Sequence, residues 1–351
     1  MPLIRNIWLK QKAATRSRRE KSAAFAALVF IFLLVDHAKT QELNLLPGAK
    51  AEGRVVWYSG SGVVLTRALA DAFEKKYPFI KVEITRGSDP VMLNRIATEK
   101  LAGKVLFDVV NSQILPLMYR LNVIGFHNPL GVEVMNTKYR DANGRWAGLH
   151  VDWFVLSYNT KIGKERAPTD WWDLLNAKWK REIGIDPGRY HWLGAMMEYF
   201  GEEKAEKLMR GLALEEIQWH TGHTLLAQLT AAGELSISLT YAHRIEEMRR
   251  KGAPIDWVRT TRPIVAGLQK VGLSAASPHP NAGKLLINFL ISREGQTVLY
   301  KQGYIPAFPG VLPKGSPFDP SALEIYPISP KITLDFERYV KKFDQIFGPR
   351  R

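Results

Sequence analysis

Residues 54–112 decide the fold of this chain and read RVVWYSGSGVVLTRALADAFEKKYPFIKVEITRGSDPVMLNRIATEKLAGKVLFDVVNS. In this stretch an apolar strand, a turn rich in Ser or Gly and an amphipathic helix follow one another twice, and a third strand comes after them. The first turn is Ser59-Gly60-Ser61-Gly62, and Pro78 ends the first helix. The alternation predicts an α/β fold with a parallel sheet.

The second and third strands also lead into polar turns. In Gly87-Ser88-Asp89-Pro90, Asp89 is placed to cap the next helix and Pro90 stands at its first position. The third strand, Val105 to Val110, leads into Asn111-Ser112. In a parallel sheet these turns meet at the carboxyl ends of the strands, where backbone N–H groups and helix dipoles are available. We therefore expect a polar ligand at this edge.

The composition is that of a globular protein large enough for two domains. The chain has 351 residues, of which 46% are hydrophobic and 24% charged, and it contains no cysteine. The lack of cysteine excludes disulfides, thiolate metal sites, cysteine nucleophiles and a lipid anchor on cysteine. The net charge of +15 favours anionic partners. Because this charge forms no basic stripe with interleaved aromatic residues, we expect no nucleic-acid binding.

Residues 1–40 have the pattern of an export signal. A basic segment up to Lys21 precedes the apolar stretch Ala23 to Val35, which is short for a bilayer span and has the length of a signal-peptide core. We predict a signal peptide or a retained N-terminal anchor here. Ser17-Arg18-Arg19 leaves the twin-arginine route open. Without residues 1–40 the net charge is +9.

The middle of the chain repeats the order of strand, polar turn and helix. A strand containing Ile183 and Ile185 precedes Asp186-Pro187-Gly188, which leads into a helix. A strand from Leu235 to Thr240 precedes Tyr241-Ala242-His243-Arg244 at the start of another helix. Two α/β halves with polar turns predict two lobes that face each other across a cleft.

Three groups of residues resemble the extracytoplasmic solute-binding proteins of ABC importers, in the branch with receptors for ferric iron, polyamines, thiamine and phosphonates. They are LADAFEKKYP (69–78) with IKV (80–82); WAG (146–148) with YN (158–159) and WWDLL (171–175); and PHPNAGK (278–284) with FLISREGQ (289–296). In this order the similarity covers residues 53 to 345.

The resemblance implies a type II periplasmic-binding-protein clamshell with crossover strands at a hinge. One lobe would hold residues 53–150 and 270–345, and the other residues 151–269. The protein would be a periplasmic monomer without a cofactor that closes on a small solute and delivers it to an ABC permease at the inner membrane. An exported α/β enzyme is the alternative from another class, although the common catalytic motifs are absent.

Ligand contacts are expected at the turns of both lobes. Serine hydroxyls and turn amides suit a polar ligand, and Arg244 can hold a carboxylate, phosphonate or sulfonate with two hydrogen bonds. Helix capping by Asp89 and a solvated position for Arg244 are the structural alternatives. The candidate ligand-binding residues are Ser59, Ser61, Ser88, Asn111, Ser112, Trp153, Tyr190, His191, Tyr241 and Arg244.

The Ser/Gly turns and the basic charge favour a small anion. A cation is the alternative, since Asp89, Asp152 and Asp186 lie near turns and tryptophans can complete a cation–π cage. A dinucleotide is disfavoured, because Leu65 stands where the third glycine of the nucleotide-binding fingerprint would be.

Ferric ion is a further alternative within the same architecture. The iron-binding branch uses two adjacent tyrosines, whose phenolates are hard donors for a hard cation. Tyr241 matches one of them, but Ala242 stands at the second position. Tyr190 or His191, from a neighbouring turn, could supply another ligand, but the set is incomplete.

Overall fold

A computed structural model describes residues 42–348, and the predicted signal segment (residues 1–40) lies outside the described residues. Helix α1 covers residues 42–52. The other strands and α-helices are β1 (Arg54–Ser59), α2 (Val63–Lys76), β2 (Lys81–Arg86), α3 (Asp89–Leu101), β3 (Val109–Ser112), α4 (Leu115–Arg120), β4 (Ala147–Asn159), β5 (Ile183–Ile185), α5 (Tyr190–Phe200), α6 (Glu202–Leu214), β6 (Gln218–Trp219), α7 (His223–Ala232), β7 (Ile237–Tyr241), α8 (Ala242–Arg250), β8 (Ile255–Trp257), β9 (Ile264–Leu273), α9 (Pro280–Ile291), α10 (Arg293–Lys301), β10 (Ile305–Pro306), β11 (Ile325–Pro327), α11 (Pro330–Leu334) and α12 (Phe336–Phe347). None of the helices within residues 42–348 combines the length and the apolar composition needed to cross a bilayer.

One sheet runs through the molecule in the order β2-β1-β3-β9-β4-β7-β5-β6. Strand β1 pairs in parallel with β2 and β3, and β5 pairs in parallel with β6 and β7. Between these two parallel trios lie β9 and β4, which are antiparallel to each other and to their neighbours β3 and β7. The short strands β8 and β10 extend the pairing of β4, and β11 extends that of β9.

The two trios point their carboxyl ends at each other. Ser112, at the end of β3, is level with Gly148 of β4. Tyr241, at the end of β7, pairs with Phe154 of β4. Strand β3 runs in the same direction as β4, whereas β7 runs in the opposite direction. Residues 149–153 of β4 therefore lie between the carboxyl ends of the two trios. The turns that follow the parallel strands therefore face one another across this segment.

Alternate residues of β4 enter two hydrophobic cores. Trp153 and Val155 belong to the first core, which includes α2 and α9, and Phe154 and Leu156 belong to the second, which includes α5 and α6. The second core also contains buried residues from 332–347. The predicted lobe boundaries at residues 150 and 270 stay a prediction.

Two local predictions in the first trio are wrong. The third strand is β3, Val109–Ser112, rather than Val105 to Val110, because Asn111 and Ser112 continue the pairing with β9. Asp89 does not cap α3: Ser88 occupies the position before the helix, and the carboxylate of Asp89 accepts a hydrogen bond from Ser112 at 2.7 Å. The tertiary contact to β3 thus takes the place of the local cap.

Candidate functional site

The space between the facing strand ends has three polar sides. The turns after β1, β2 and β3 form what we call the first rim (residues 59–62, 86–89 and 111–113). Those after β5, β6 and β7 form the second rim (residues 186–191, 220–223 and 241–244). Between them, the floor consists of residues 149–153 of β4 and 267–270 of β9, which pair with each other.

The hydroxyl of Ser61 connects the first rim to the floor. Its Oγ accepts a hydrogen bond from Nδ2 of Asn111 at 2.9 Å and lies 3.1 Å from Nε2 of His150. Asn111 in turn accepts from the indole nitrogen of Trp57 at 2.9 Å and donates to Gln269 at 3.3 Å. These contacts hold Ser61 between a first-rim amide and an imidazole of the floor.

The remaining predicted serines of the first rim serve the turns or face solvent. Ser59 Oγ lies 2.9 Å from the hydroxyl of Thr66 and accepts the amide N–H of Ser61 at 3.2 Å. Ser112 donates to Asp89, whereas Ser88 is exposed. Burial raises the pKa of Asp89, although Ser112 opposes this shift. Solute contacts by these serines stay predictions.

Asp152 is a buried carboxylate in the middle of the floor. Its Oδ1 lies 3.3 Å from Nδ1 of His150 and 3.6 Å from Nδ1 of His243, and its Oδ2 accepts from Gln113 at 2.9 Å. Burial alone would raise the pKa of Asp152, but His150, His243 and Arg244 bring it below its ordinary value. The charged carboxylate therefore joins the first rim, the floor and the second rim.

Lys270 is a buried lysine of the floor. Its Nζ donates to the backbone carbonyls of Gln113 at 3.0 Å and Leu268 at 3.1 Å. Burial lowers the pKa of Lys270 to about 8, against the opposing effect of Asp89. The ammonium is thus held in place by neutral oxygens.

Arg189 ties the turns of the second rim together. Its Nη2 forms an ion pair with Asp186 at 3.0 Å, and its Nη1 donates to the hydroxyl of Tyr241 at 3.3 Å. The other carboxylate oxygen of Asp186 accepts the amide N–H of Gly222 at 2.7 Å. Burial raises the pKa of Tyr241 to about 12, so the phenol is neutral at neutral pH.

Four rings extend from the second rim towards the start of α2, and we call them the ring row (His223, Tyr241, His243 and Tyr304). The ring centroids of His223 and Tyr241 are 3.7 Å apart, those of Tyr241 and His243 5.4 Å, and those of His243 and Tyr304 4.5 Å. Burial lowers the pKa of His243 to about 3, so its imidazole is neutral in the row.

Arg244 borders a cavity of about 300 Å³ between the starts of α2 and α8. Its Nη2 donates to the hydroxyl of Tyr304 at 3.0 Å, and its Nη1 lies 3.1 Å from a carboxylate oxygen of Glu247. The lining residues are Gly62, Val63, Val64, Leu65, Arg244, Glu247, Arg250, Lys301, Gln302 and Tyr304. Gly62 of the first rim and Arg244 of the second rim thus both line this cavity.

Three predicted contact residues lie among core side chains. Trp153 is buried, with its ring 6.1 Å from that of Phe318. Tyr190 packs edge-on against Phe343 at 5.2 Å. His191 is partly buried, and its Nε2 has no hydrogen-bond partner among the described residues. Their contact with a solute stays a prediction.

Sequence reasoning does not identify His150, Gln113, Arg189 or Tyr304 as site residues. His150 is two residues before Asp152 on β4, so strand alternation could have placed both on one face. Arg189 directly follows the turn that ends at Gly188. Tyr304 has no local signal, because it reaches the site only through the pairing of β10 with β4.

Known proteins share this architecture. A Salmonella typhimurium protein, named as a candidate 2-aminoethylphosphonate-binding periplasmic protein, is 26% identical over 267 residues, which are 71% of this chain and 68% of that protein. Iron-bound HitA from Pseudomonas aeruginosa has a TM-score of 0.76 at 19% identity, covering 84% of this chain and 99% of that one. AfuA from Actinobacillus pleuropneumoniae, with fructose-6-phosphate bound, has a TM-score of 0.75 at 21% identity, covering 85% and 99%.

These structures confirm the predicted α/β clamshell of the type II periplasmic binding proteins. A family model described as bacterial extracellular solute-binding protein matches residues 68–323, which is more than half of the chain. The resemblance found in the sequence is thereby confirmed. This protein belongs to the family of bacterial extracellular solute-binding proteins.

Proposed function

We propose that this solute-binding protein of an ABC importer captures a small anionic solute between its first and second rims. The two rims would close on the solute, and the loaded form would deliver it to the permease at the inner membrane. We place the protein in the periplasm as a monomer. Its task would be capture and delivery, with the solute left chemically unchanged.

The cavity beside Arg244 carries this proposal. Its lining includes three cationic side chains, Arg244, Arg250 and Lys301, and one carboxylate, that of Glu247. Glu247 already pairs with Arg244 at 3.1 Å and with Lys251 at 2.8 Å. The cavity thus has an excess of positive charge, which favours a negatively charged occupant.

The start of α2 adds hydrogen-bond donors to the same cavity. The first helical hydrogen bond runs from Thr66 N–H to Gly62 C=O. The backbone N–H groups of residues 62–65 therefore have no acceptor within the helix. Within the described structure, the first turn of α2 has neither an acidic residue nor a side-chain cap. We assign these amides and the Arg244 guanidinium to the anionic group.

The carboxylates near the cleft are already bound by other groups of the chain. Asp89 accepts from Ser112 at 2.7 Å, Asp152 from Gln113 at 2.9 Å, and Asp186 from the amide of Gly222 at 2.7 Å. A cationic solute would have to compete with these contacts. In addition, 2-aminoethylphosphonate and fructose-6-phosphate, the ligands in the names of two similar proteins, both carry an anionic phosphorus group.

Ferric ion is the second candidate, because HitA is iron-bound. The neutral phenol of Tyr241 accepts from Arg189, and its pKa of about 12 disfavours the phenolate that iron needs. Tyr190 packs against Phe343. Within residues 42–348, no three His, Cys, Asp or Glu side chains are arranged to hold a metal ion. These observations favour the anion.

A thermal-unfolding screen of the purified chain tests the proposal. The probes are inorganic phosphate, methylphosphonate, citrate, putrescine and Fe(III). An anion at 100 times its Kd should add about 2.7 kcal/mol of stability, and Arg244→Ala should abolish this gain. Lys314→Ala, at an exposed lysine outside the cavity, is the control. Stabilisation by putrescine or Fe(III) alone, or by none of the probes, would overturn the proposal.

A further inference from the structure

We propose that the second rim binds an uncharged, hydrogen-bonding part of the solute through the imidazoles of His191 and His223, next to the anionic group at Arg244. This inference rests on the proposed function, because it describes the rest of the same solute. It narrows the solute to a small molecule with one anionic group and neighbouring hydroxyl or amide groups.

His223, the first residue of α7, has two ring nitrogens that need partners. Nδ1 and Nε2 are both buried, and neither has a hydrogen-bond partner among the described residues. The ring lies 3.7 Å from that of Tyr241 and 6.0 Å from that of Phe154. Leaving a buried donor and a buried acceptor unsatisfied is costly, so these nitrogens point to an occupant from outside the chain.

His191, the second residue of α5, presents a similar group from the neighbouring turn. Its Nε2 is buried and lacks a hydrogen-bond partner within residues 42–348. Its ring lies 5.2 Å from that of Phe336. Two histidines, from the turns after β5 and β6, thus have buried ring nitrogens without a partner among the described residues.

Both imidazoles are uncharged at neutral pH. Burial, with the charges of Arg189 and Lys270, lowers the pKa of His191 to about 4. Burial, with Arg189, His243 and Arg244, lowers the pKa of His223 well below its ordinary value. A neutral imidazole has one donor and one acceptor, which suits a hydroxyl or an amide and cannot neutralise a second anionic group.

The charge of Arg189 is already balanced. Arg189 is paired with Asp186 at 3.0 Å and hydrogen-bonded to Tyr241. The turns after β5 and β6 therefore offer neutral hydrogen bonds, whereas the cavity at Arg244, in the turn after β7, offers positive charge. This difference between the two ends predicts a solute with charge at one end only.

The ring row joins the two ends of the proposed site. Arg244 follows His243 in the chain, and the ring of His243 lies 5.4 Å from that of Tyr241. Tyr241 is in turn 3.7 Å from His223. The ring row thus runs from His223 to Tyr304, which lines the charged cavity.

Isothermal titration calorimetry of the full chain at pH 7.5 tests this inference with inorganic phosphate, sn-glycerol 3-phosphate and 3-phosphoglycerate. We expect glycerol 3-phosphate to bind about tenfold more tightly than phosphate, the gain from a few neutral hydrogen bonds. His223→Ala should remove this gain, so that glycerol 3-phosphate and phosphate bind the variant about equally well. His223→Gln and His191→Gln, which keep a donor and an acceptor, guard against loss of folding. Thr224→Ala, at the exposed neighbouring position, is the control.

The outcomes separate the inference from the function on which it rests. If phosphate binds and glycerol 3-phosphate binds no better, or if the gain survives His223→Ala, the inference is overturned and the anion receptor stands. Tighter binding of 3-phosphoglycerate, with an anionic group at each end, also overturns it. If none of the probes binds, or if Arg244→Ala leaves phosphate binding unchanged, the proposed function itself fails.

Discussion

Arg244 donates from Nη2 to the hydroxyl of Tyr304 at 3.0 Å, which joins the start of α8 to the segment after α10. Tyr304 directly precedes β10, and β10 pairs with β4 next to the floor. The bond therefore connects the second rim to the opposite side of the cavity in which we place the anion. The guanidinium of Arg244 would thus bind the solute and also connect the two sides of the cleft.

Removing the Tyr304 hydroxyl should weaken the ligand-free protein. Tyr304→Phe keeps the ring beside His243 and loses the hydrogen bond to a charged partner, so the free energy of unfolding should fall by about 1 kcal/mol in urea titrations. Tyr119→Phe is the matched control, because the Tyr119 hydroxyl is buried without a hydrogen bond among the described residues. Equal losses of unfolding free energy in the two variants would show that the hydrogen bond between Tyr304 and Arg244 does not stabilise the protein.

The close approach at Gly62 gives an independent test of the same contact. A Cβ at Gly62 would lie 2.7 Å from the Tyr304 hydroxyl and 3.4 Å from Nη2 of Arg244, while its φ of −62° is accessible to alanine. Gly62→Ala should therefore cost about 1 kcal/mol through crowding. In the Tyr304→Phe background most of this cost should disappear, as measured by a double-mutant cycle. If the effects of Gly62→Ala and Tyr304→Phe on the free energy of unfolding simply add, the Tyr304 hydroxyl is not the source of the crowding.

Asp152 should make the stability depend on acid pH. Because its folded pKa lies below the unfolded value of about 4, its stabilisation is present above that pH and is lost as the pH falls through the folded value. Asp152→Asn should lose about 2 kcal/mol at pH 7, and this loss should shrink as the pH falls below about 4 in urea titrations. Asp71→Asn, in an exposed ion pair, is the control. A difference that does not change with pH would contradict this role.

Lys270 should make the free energy of unfolding rise with pH on the alkaline side. Its pKa is about 8 in the folded chain and 10.5 as an ordinary lysine, so the folded state releases its proton first as the pH rises. The cost of the buried charge is fully present below pH 8 and is relieved between these two values. Relative to Lys270→Met, the unsubstituted chain should gain about 1 kcal/mol per pH unit in this range. Parallel stability curves from pH 7 to 10 would exclude the shift.

The outline of the site follows from the sequence because the carboxyl ends of parallel strands must meet at one edge. That argument correctly places Ser61 and Asn111 on one rim and Tyr241 and Arg244 on the other. It cannot tell which hydroxyls turn inward, and Ser59 bonds to Thr66 only because α2 begins where it does.

Other parts of the site depend on contacts distant in the chain. Trp153 lies on a strand buried on both faces, so alternation alone does not distinguish core from cleft. Tyr304 meets Arg244 across 60 residues of sequence. The neutral state of His243 and the shifted pKa of Lys270 arise from burial, which residue types alone do not show.

A crystal structure of the chain grown or soaked with an anion selected by the thermal screen tests the central claim most directly. We predict the anionic group within hydrogen-bond distance of the Arg244 guanidinium and of an amide between Gly62 and Leu65. An anion bound elsewhere would contradict the account. So would Fe(III) bound to Tyr241 while Arg244 stays hydrogen-bonded to Tyr304.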